Sequence, residues 1–145
     1  MSRPPLPADA VEMLRRPNPA VMATLRSDGA PVSAPTWYVW DQSEGGAGSV
    51  LLSLDEGRVR LRHLGADPRL TLTVLQDGDW YTHVTLLGRV VDLRTDEGLT
   101  DIDRISRHYT GQPYPDRVRA RVTARMRIDR WHGWGAFKDS DQASV

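Results

Sequence analysis

Turn chemistry constrains this chain more than any other feature. Apolar runs of strand length recur along it, and most are closed by turn-forming residues: Ser27-Asp28-Gly29, the glycine-rich segment 41–48, and Gln76-Asp77-Gly78-Asp79. A glycine in such a turn takes the positive φ that a tight hairpin demands. Strands joined by hairpins are antiparallel, because a parallel neighbour needs a long crossover. Six strands are expected, over 20–26, 31–40, 49–54, 70–75, 80–93 and 118–128, with Gly88 marking a bulge or bend in the fifth. The last alternates Val118, Ala120, Val122, Ala124, Met126 and Ile128 against a face that is mostly arginine. That is the pattern of a half-buried strand whose arginines face solvent or pair with acidic neighbours. Short helices are expected over 7–15, with Ala10, Val11 and Leu14 on one side, and over 58–64, with Gly65 as a terminating glycine. A third is expected over 95–109, capped by Thr95, where Leu99, Ile102, Ile105 and Tyr109 recur at helical spacing. Residues 131–137 form an aromatic, glycine-bearing end. The expected fold class is therefore mainly β (α+β), a six-stranded antiparallel barrel with short covering helices. The 145 residues suit one domain, with ends fraying at about 1–6 and 138–145.

Charge and cysteine content narrow the function. The formal net charge is zero, so no global field draws the protein to nucleic acid or a membrane surface. Lys138 is the only lysine, so the position of an arginine is more informative than the number of arginines. With no cysteine there are no disulfides, thiolate metal sites or cysteine nucleophiles. The histidines His63, His83, His108 and His132 lack zinc spacing, and no metal is expected. No run approaches the ~20 apolar residues of a membrane span, and the N-terminus lacks a signal-type apolar stretch, so the expectation is a cytoplasmic protein. Walker-type and dinucleotide-binding glycine loops and the Gly-x-Ser-x-Gly elbow are missing.

The segment Gly57–Thr73 carries the chemistry. It places Arg58, Arg60 and Arg62 at the start of a short helix between two apolar strands. Unpaired amide N–H groups, the helix dipole and forked guanidinium donors converge there on an anion, for which phosphate is the best fit. The competing reading is a solvated helix face, since 58 and 62 share a side and 60 does not. Asp55 and Glu56, just before it, read as turn and N-cap residues. Trp37, Tyr38 and Trp40, and the pair Trp80 and Tyr81, are either sheet surface or ring platforms.

In order, these pieces resemble the split-barrel flavin and deazaflavin reductases, the superfamily that includes pyridoxamine 5′-phosphate oxidase. They are most similar to the coenzyme F420-dependent reductases of the B type. The text that carries the resemblance is Ala-Thr-Leu-Arg-Ser-Asp-Gly-Ala-Pro at 23–31 and Pro-Thr-Trp-Tyr at 35–38. It continues with Gly-Arg-Val-Arg-Leu-Arg-His-Leu at 57–64, Ala-Asp-Pro-Arg-Leu-Thr-Leu-Thr-Val at 66–74 and Gly-Arg-Val-Val at 88–91. The resemblance implies a split barrel and a homodimer with two cofactors at the subunit interface. It implies that Arg58 and Arg60 hold the cofactor's phosphate-bearing tail, within a motif that also contains His63. Such proteins commonly carry lysine at the second arginine and asparagine where His63 stands. The ring would lie near Val32, Ser33, Pro35, Trp37, Leu52 and Ser53. Trp80, Tyr81, Trp131 and Trp134 would line the substrate side from the other subunit. The implied activity is hydride transfer from coenzyme F420 to an unsaturated small organic substrate, with the proton supplied by solvent, Tyr38 or His83. FMN in the same fold, as an oxidase or flavin-binding protein, is one alternative. A non-catalytic cofactor- or haem-binding module is another.

Overall fold

The computed structural model describes residues 1–138. In chain order the elements are α1 (Ala8–Leu14), β1 (Ala20–Leu25), β2 (Pro31–Thr36), β3 (Val39–Asp41), β4 (Ser49–Asp55), α2 (Val59–Ala66), β5 (Arg69–Gln76) and β6 (Asp79–Thr95). A single 3-10 turn (Glu97–Leu99) leads into α3 (Thr100–Thr110), followed by β7 (Arg121–Trp134) and a closing 3-10 turn (Gly135–Phe137). The strands form one antiparallel sheet of seven in the order β2-β1-β5-β6-β7-β4-β3. Strands β2 and β3 are the two free edges of that sheet, yet only Trp37 and Tyr38 separate them in the chain. Three Cα–Cα steps span at most about 11 Å. The sheet must therefore curl until its edges nearly meet, which makes an open, split barrel.

The seventh strand corrects the expected six. The segment 31–40 is not one strand, because its first half pairs with β1 and its second with β4. The break falls where Tyr38 turns fully inward and its hydroxyl donates to the carbonyls of Leu14 (2.8 Å) and Arg16 (3.2 Å). The last strand starts later than the alternation suggests. The Asp116 carboxylate accepts the amides of Val118 and Arg119, which bends them into a turn and leaves Val118 96% exposed. Thr95 ends β6 and does not cap α3. Leu99 stands at the N-cap position, and the free amides of the first turn are met from further back by the Asp96 carboxylate, which accepts those of Asp101 (2.9 Å) and Ile102 (2.8 Å). Gly65 lies inside α2 and does not terminate it. The first residues are tied down: Ser2 exchanges two backbone hydrogen bonds with Trp131. Residues 139–145 of the expected frayed end lie outside the described residues.

Two apolar layers result. Inside the curl, Met22, Leu52, Leu54, Leu72, Val74, Leu86 and Met126 pack with Met13 and Leu14 of α1. Outside it, Val39 and Leu51 are covered by Ile102 and Ile105 of α3. Gly88 sits at a register shift of the β5–β6–β7 ladder, and a Cβ there would run into the Arg127 carbonyl.

The arginine face of β7 is only partly solvated: Arg127 is exposed, but Arg121 and Arg125 are not. Arg121 and Arg125 are each 8% exposed, and each meets a carboxylate, Asp55 and Asp41 respectively. Burial pushes the Asp41 carboxyl up, but hydrogen bonds from Arg125 and Ser43 outweigh it and hold the pKa at about 2. A carboxyl depressed on folding stabilises the native state above its unfolded value and loses that contribution as pH falls through the folded one. Stability should therefore drop between the ordinary value of 3.8 and about 2. Thermal unfolding followed across that window should show the midpoint falling, and Asp41→Asn should flatten the dependence while lowering stability at neutral pH.

Candidate functional site

The crevice beside the seam follows from the alternation of β4. Leu52 and Leu54 point into the barrel, so Ser53 between them faces outward beneath α3. Around Ser53 opens a cavity of about 580 Å³. Pro35, Thr36 and Trp37 wall it on the seam side. Ile102, Ile105 and Tyr109 of α3 and Tyr114 of the following loop wall the other, and Arg60 and Arg121 reach it from α2 and β7. The volume lies within the ~300–1,000 Å³ usual for small-molecule sites.

The aromatic wall is rigid. The Trp37 indole stacks on the Tyr109 ring with centroids 5.1 Å apart and planes 8° apart, and Tyr114 meets Trp37 edge-on at 6.4 Å. The Tyr109 hydroxyl donates to the Asn18 carbonyl at 2.6 Å, and burial pushes its pKa up to about 12. This tyrosine is a fixed wall and no ready proton source.

The cationic end holds two guanidinium groups of different character. Arg121 is fully engaged: it donates to the Asp55 carboxylate and to the Ser53 hydroxyl (2.8 Å), and lies 4.8 Å from the centre of the Tyr114 ring. Asp55 also accepts from Arg58 (2.9 Å) and Arg119 (3.3 Å). Burial pushes this carboxyl up, yet the Arg58 hydrogen bond and the Arg121 charge prevail and hold it below its ordinary range. Asp55 is thus the hub of an ion-pair cluster and not a helix cap. Arg60 is the opposite case. Its Nη1 is buried and no hydrogen-bond partner meets it. Burial, then the charge of Arg58, weakens its hold on its proton. Arg60 as a residue lines the crevice, and a cationic side chain with an unmatched nitrogen at a cavity edge suits an anionic ligand.

The other expected residues divide clearly. Ser53, Pro35 and Trp37 line the crevice with Arg60. Arg58 stands at the surface on Asp55, its side chain 58% exposed. Arg62 is exposed and reaches only the Gly57 carbonyl. His63 turns to Thr24 of β1, its Nδ1 2.9 Å from the hydroxyl. Val32 and Ser33 lie exposed on β2 outside the crevice lining. Leu52 has no exposed surface, because the β4 alternation points it into the core. Trp131 is likewise core at 2% exposure and cannot line a substrate site, whereas Trp80 (72%) and Tyr81 (57%) stand in solvent. Trp134 meets Tyr81 edge-on. Tyr38 gives its hydroxyl to two carbonyls, and burial pushes its pKa far up. His83 contacts the Tyr81 carbonyl, away from the crevice. Neither residue is placed to donate a proton there. Sequence reading missed Arg121, Tyr109 and Tyr114. The only prior sign of Arg121 was its place among the alternating arginines, two residues after Arg119. Among the described residues no group of three or more His, Cys, Asp or Glu could hold a metal, and no helix is long and apolar enough to cross a membrane.

Residues 6–135 match the family model described as pyridoxamine 5′-phosphate oxidase. Solved structures share the fold. An F420 reductase superposes with a TM-score of 0.75 at 24% identity, over 87% of this chain and 98% of that one. A conserved hypothetical protein, Rv2991 from Mycobacterium tuberculosis, superposes at 0.66 with 21% identity, over 92% and 84%. General Stress Protein 26 from Bacillus anthracis does so at 0.61 with 12% identity, over 86% and 90%. No curated protein matches by sequence.

The cluster on Asp55 makes a direct forecast. Asp55→Asn leaves Arg121 buried without its counter-charge, a loss on the order of 3 kcal/mol. Urea unfolding should show a correspondingly lower midpoint with an unchanged slope.

Proposed function

Because this chain belongs to the pyridoxamine 5′-phosphate oxidase family, we propose that it is an oxidoreductase that uses coenzyme F420, gripping the cofactor's anionic tail through Arg60. Family and fold support a flavin- or deazaflavin-binding oxidoreductase. The observation that carries the reading is Arg60, which lines a crevice of ligand size and whose buried Nη1 has no hydrogen-bond partner among the described residues.

The residues present fit such a group. Arg60 would hold a phosphate oxygen, a charge-assisted bond of about 1.5–3 kcal/mol. Arg58 would add field from the rim, weakened by Asp55. Ser53 lies on the floor, and Pro35 and Trp37 offer an apolar wall beside it. When bound, the deazaflavin supplies the hydride transferred to an unsaturated organic substrate. The chain's own part is to position, to shield one side of the crevice with α3, and to present fixed charge. Solvent supplies the proton. The proposal includes a homodimer: β2 has no residue fully buried along its length, and Val32 on it and Trp80 and Tyr81 on β6 leave large apolar surface for a second copy to cover.

Titration of the purified protein with F420 and with FMN, read by fluorescence, tests the reading. F420 should bind more tightly than FMN, and Arg60→Ala should weaken it by about tenfold or more with little change in melting temperature. Preferential binding of FMN would move the protein to flavin chemistry in the same crevice. Tight binding without turnover on enones and quinones would make it a cofactor carrier.

A further inference from the structure

We infer that His63 is a positioning residue: its hydrogen bond to the buried Thr24 hydroxyl sets the rotation of α2 that aims Arg60 into the crevice. The inference rests on the reading of Arg60 as the anion-binding group and adds the residue that controls it. Three observations carry it.

First, α2 has little of its own to fix its orientation. It is eight residues long, no side chain caps its N-terminus, and Leu64 is its one buried residue. Helices this short are marginal alone and take their orientation from tertiary contacts. Second, the helical wheel places Arg60 between two anchors. At about 100° per residue, Leu64 lies roughly 40° to one side of Arg60 and His63 roughly 60° to the other. Leu64, with the partly buried Leu61, packs on the barrel core and resists rotation one way. Against rotation the other way stands the His63–Thr24 bond. Third, that bond is not optional surface decoration. Thr24 is 1% exposed, and its buried hydroxyl needs a partner, which His63 provides. Besides the Arg58–Asp55 pair at the helix start, it is the side-chain tie from α2 to the sheet.

His63 would therefore act on binding without touching the ligand. The test compares the dissociation constants of F420 and FMN, measured separately by fluorescence, with melting temperatures for the unaltered protein and five variants. Arg60→Ala reports on the crevice. His63→Ala and Thr24→Val each remove the tie and should weaken binding by about fivefold, the factor that one net hydrogen bond carries. Combining them should weaken it no further, because they break the same interaction. His63→Asn keeps a polar atom near the position of Nδ1 and should restore affinity to within about twofold. Thr24→Val is nearly isosteric, so it stands in if His63→Ala folds poorly. Unchanged affinity in Thr24→Val and His63→Ala, with Arg60→Ala still impaired, overturns the role of His63 and leaves the crevice intact. Equal losses in His63→Asn and His63→Ala overturn it too. Unchanged affinity in Arg60→Ala overturns both readings.

Discussion

The structure depends on a connection too short for anything but closure. Two residues join the outermost strands of a seven-stranded sheet, so the sheet has to bend back on itself. That bend makes the interior in which α1, β1 and β4–β7 bury their apolar side chains. It also leaves a seam, since no ladder joins β2 to β3. α3 lies across the outer face at that seam, and the space between helix and sheet is the crevice. Core and site are two results of one geometric restriction.

Charge is arranged on that frame by pairing. Asp55 and Arg121 are directly opposite each other in the β4–β7 ladder, and Asp41 meets Arg125 further along. These pairs let β7 carry buried arginines in a sheet that would otherwise reject them. The same pairing creates contrast in the crevice. Arg121 arrives already neutralised, while Arg60, on the facing helix, does not. Of the two guanidiniums that line the crevice, one is committed to a carboxylate and the other is not.

Much of this was legible in the sequence. Turn residues and apolar runs located most strands to within a few residues, although the last, expected to end at 128, runs on to Trp134, and Arg60 stood out because its segment joins a strand to a helix. The errors have physical causes. The chain through 31–40 reads as one strand because nothing local signals that its halves choose different partners. The sequence left the arginines of β7 open between solvent and acidic partners, because the carboxylates that pair with Arg121 and Arg125 lie far off in sequence, on β4 and β3. Trp131 and Leu52 carry residue types suited to a ligand wall, but strand alternation turns Leu52 into the core and the register shift at Gly88 does the same for Trp131. His63 was grouped with the arginines by motif, although its place on the helix turns it to β1. Position on an element, more than residue type, separated the lining from its support.

The pairing of β4 with β7 has a consequence for how the chain acquires its shape. β4 finds its main ladder partner some seventy residues later, the span from Asp55 to Arg121, and Ser2 waits for Trp131. A chain emerging from the ribosome cannot satisfy either until its last strand is free. Contacts this distant slow folding, and the cationic end of the crevice should be among the last regions to form. Any truncation before β7 would therefore yield no smaller working version of the protein, only exposed strand edges.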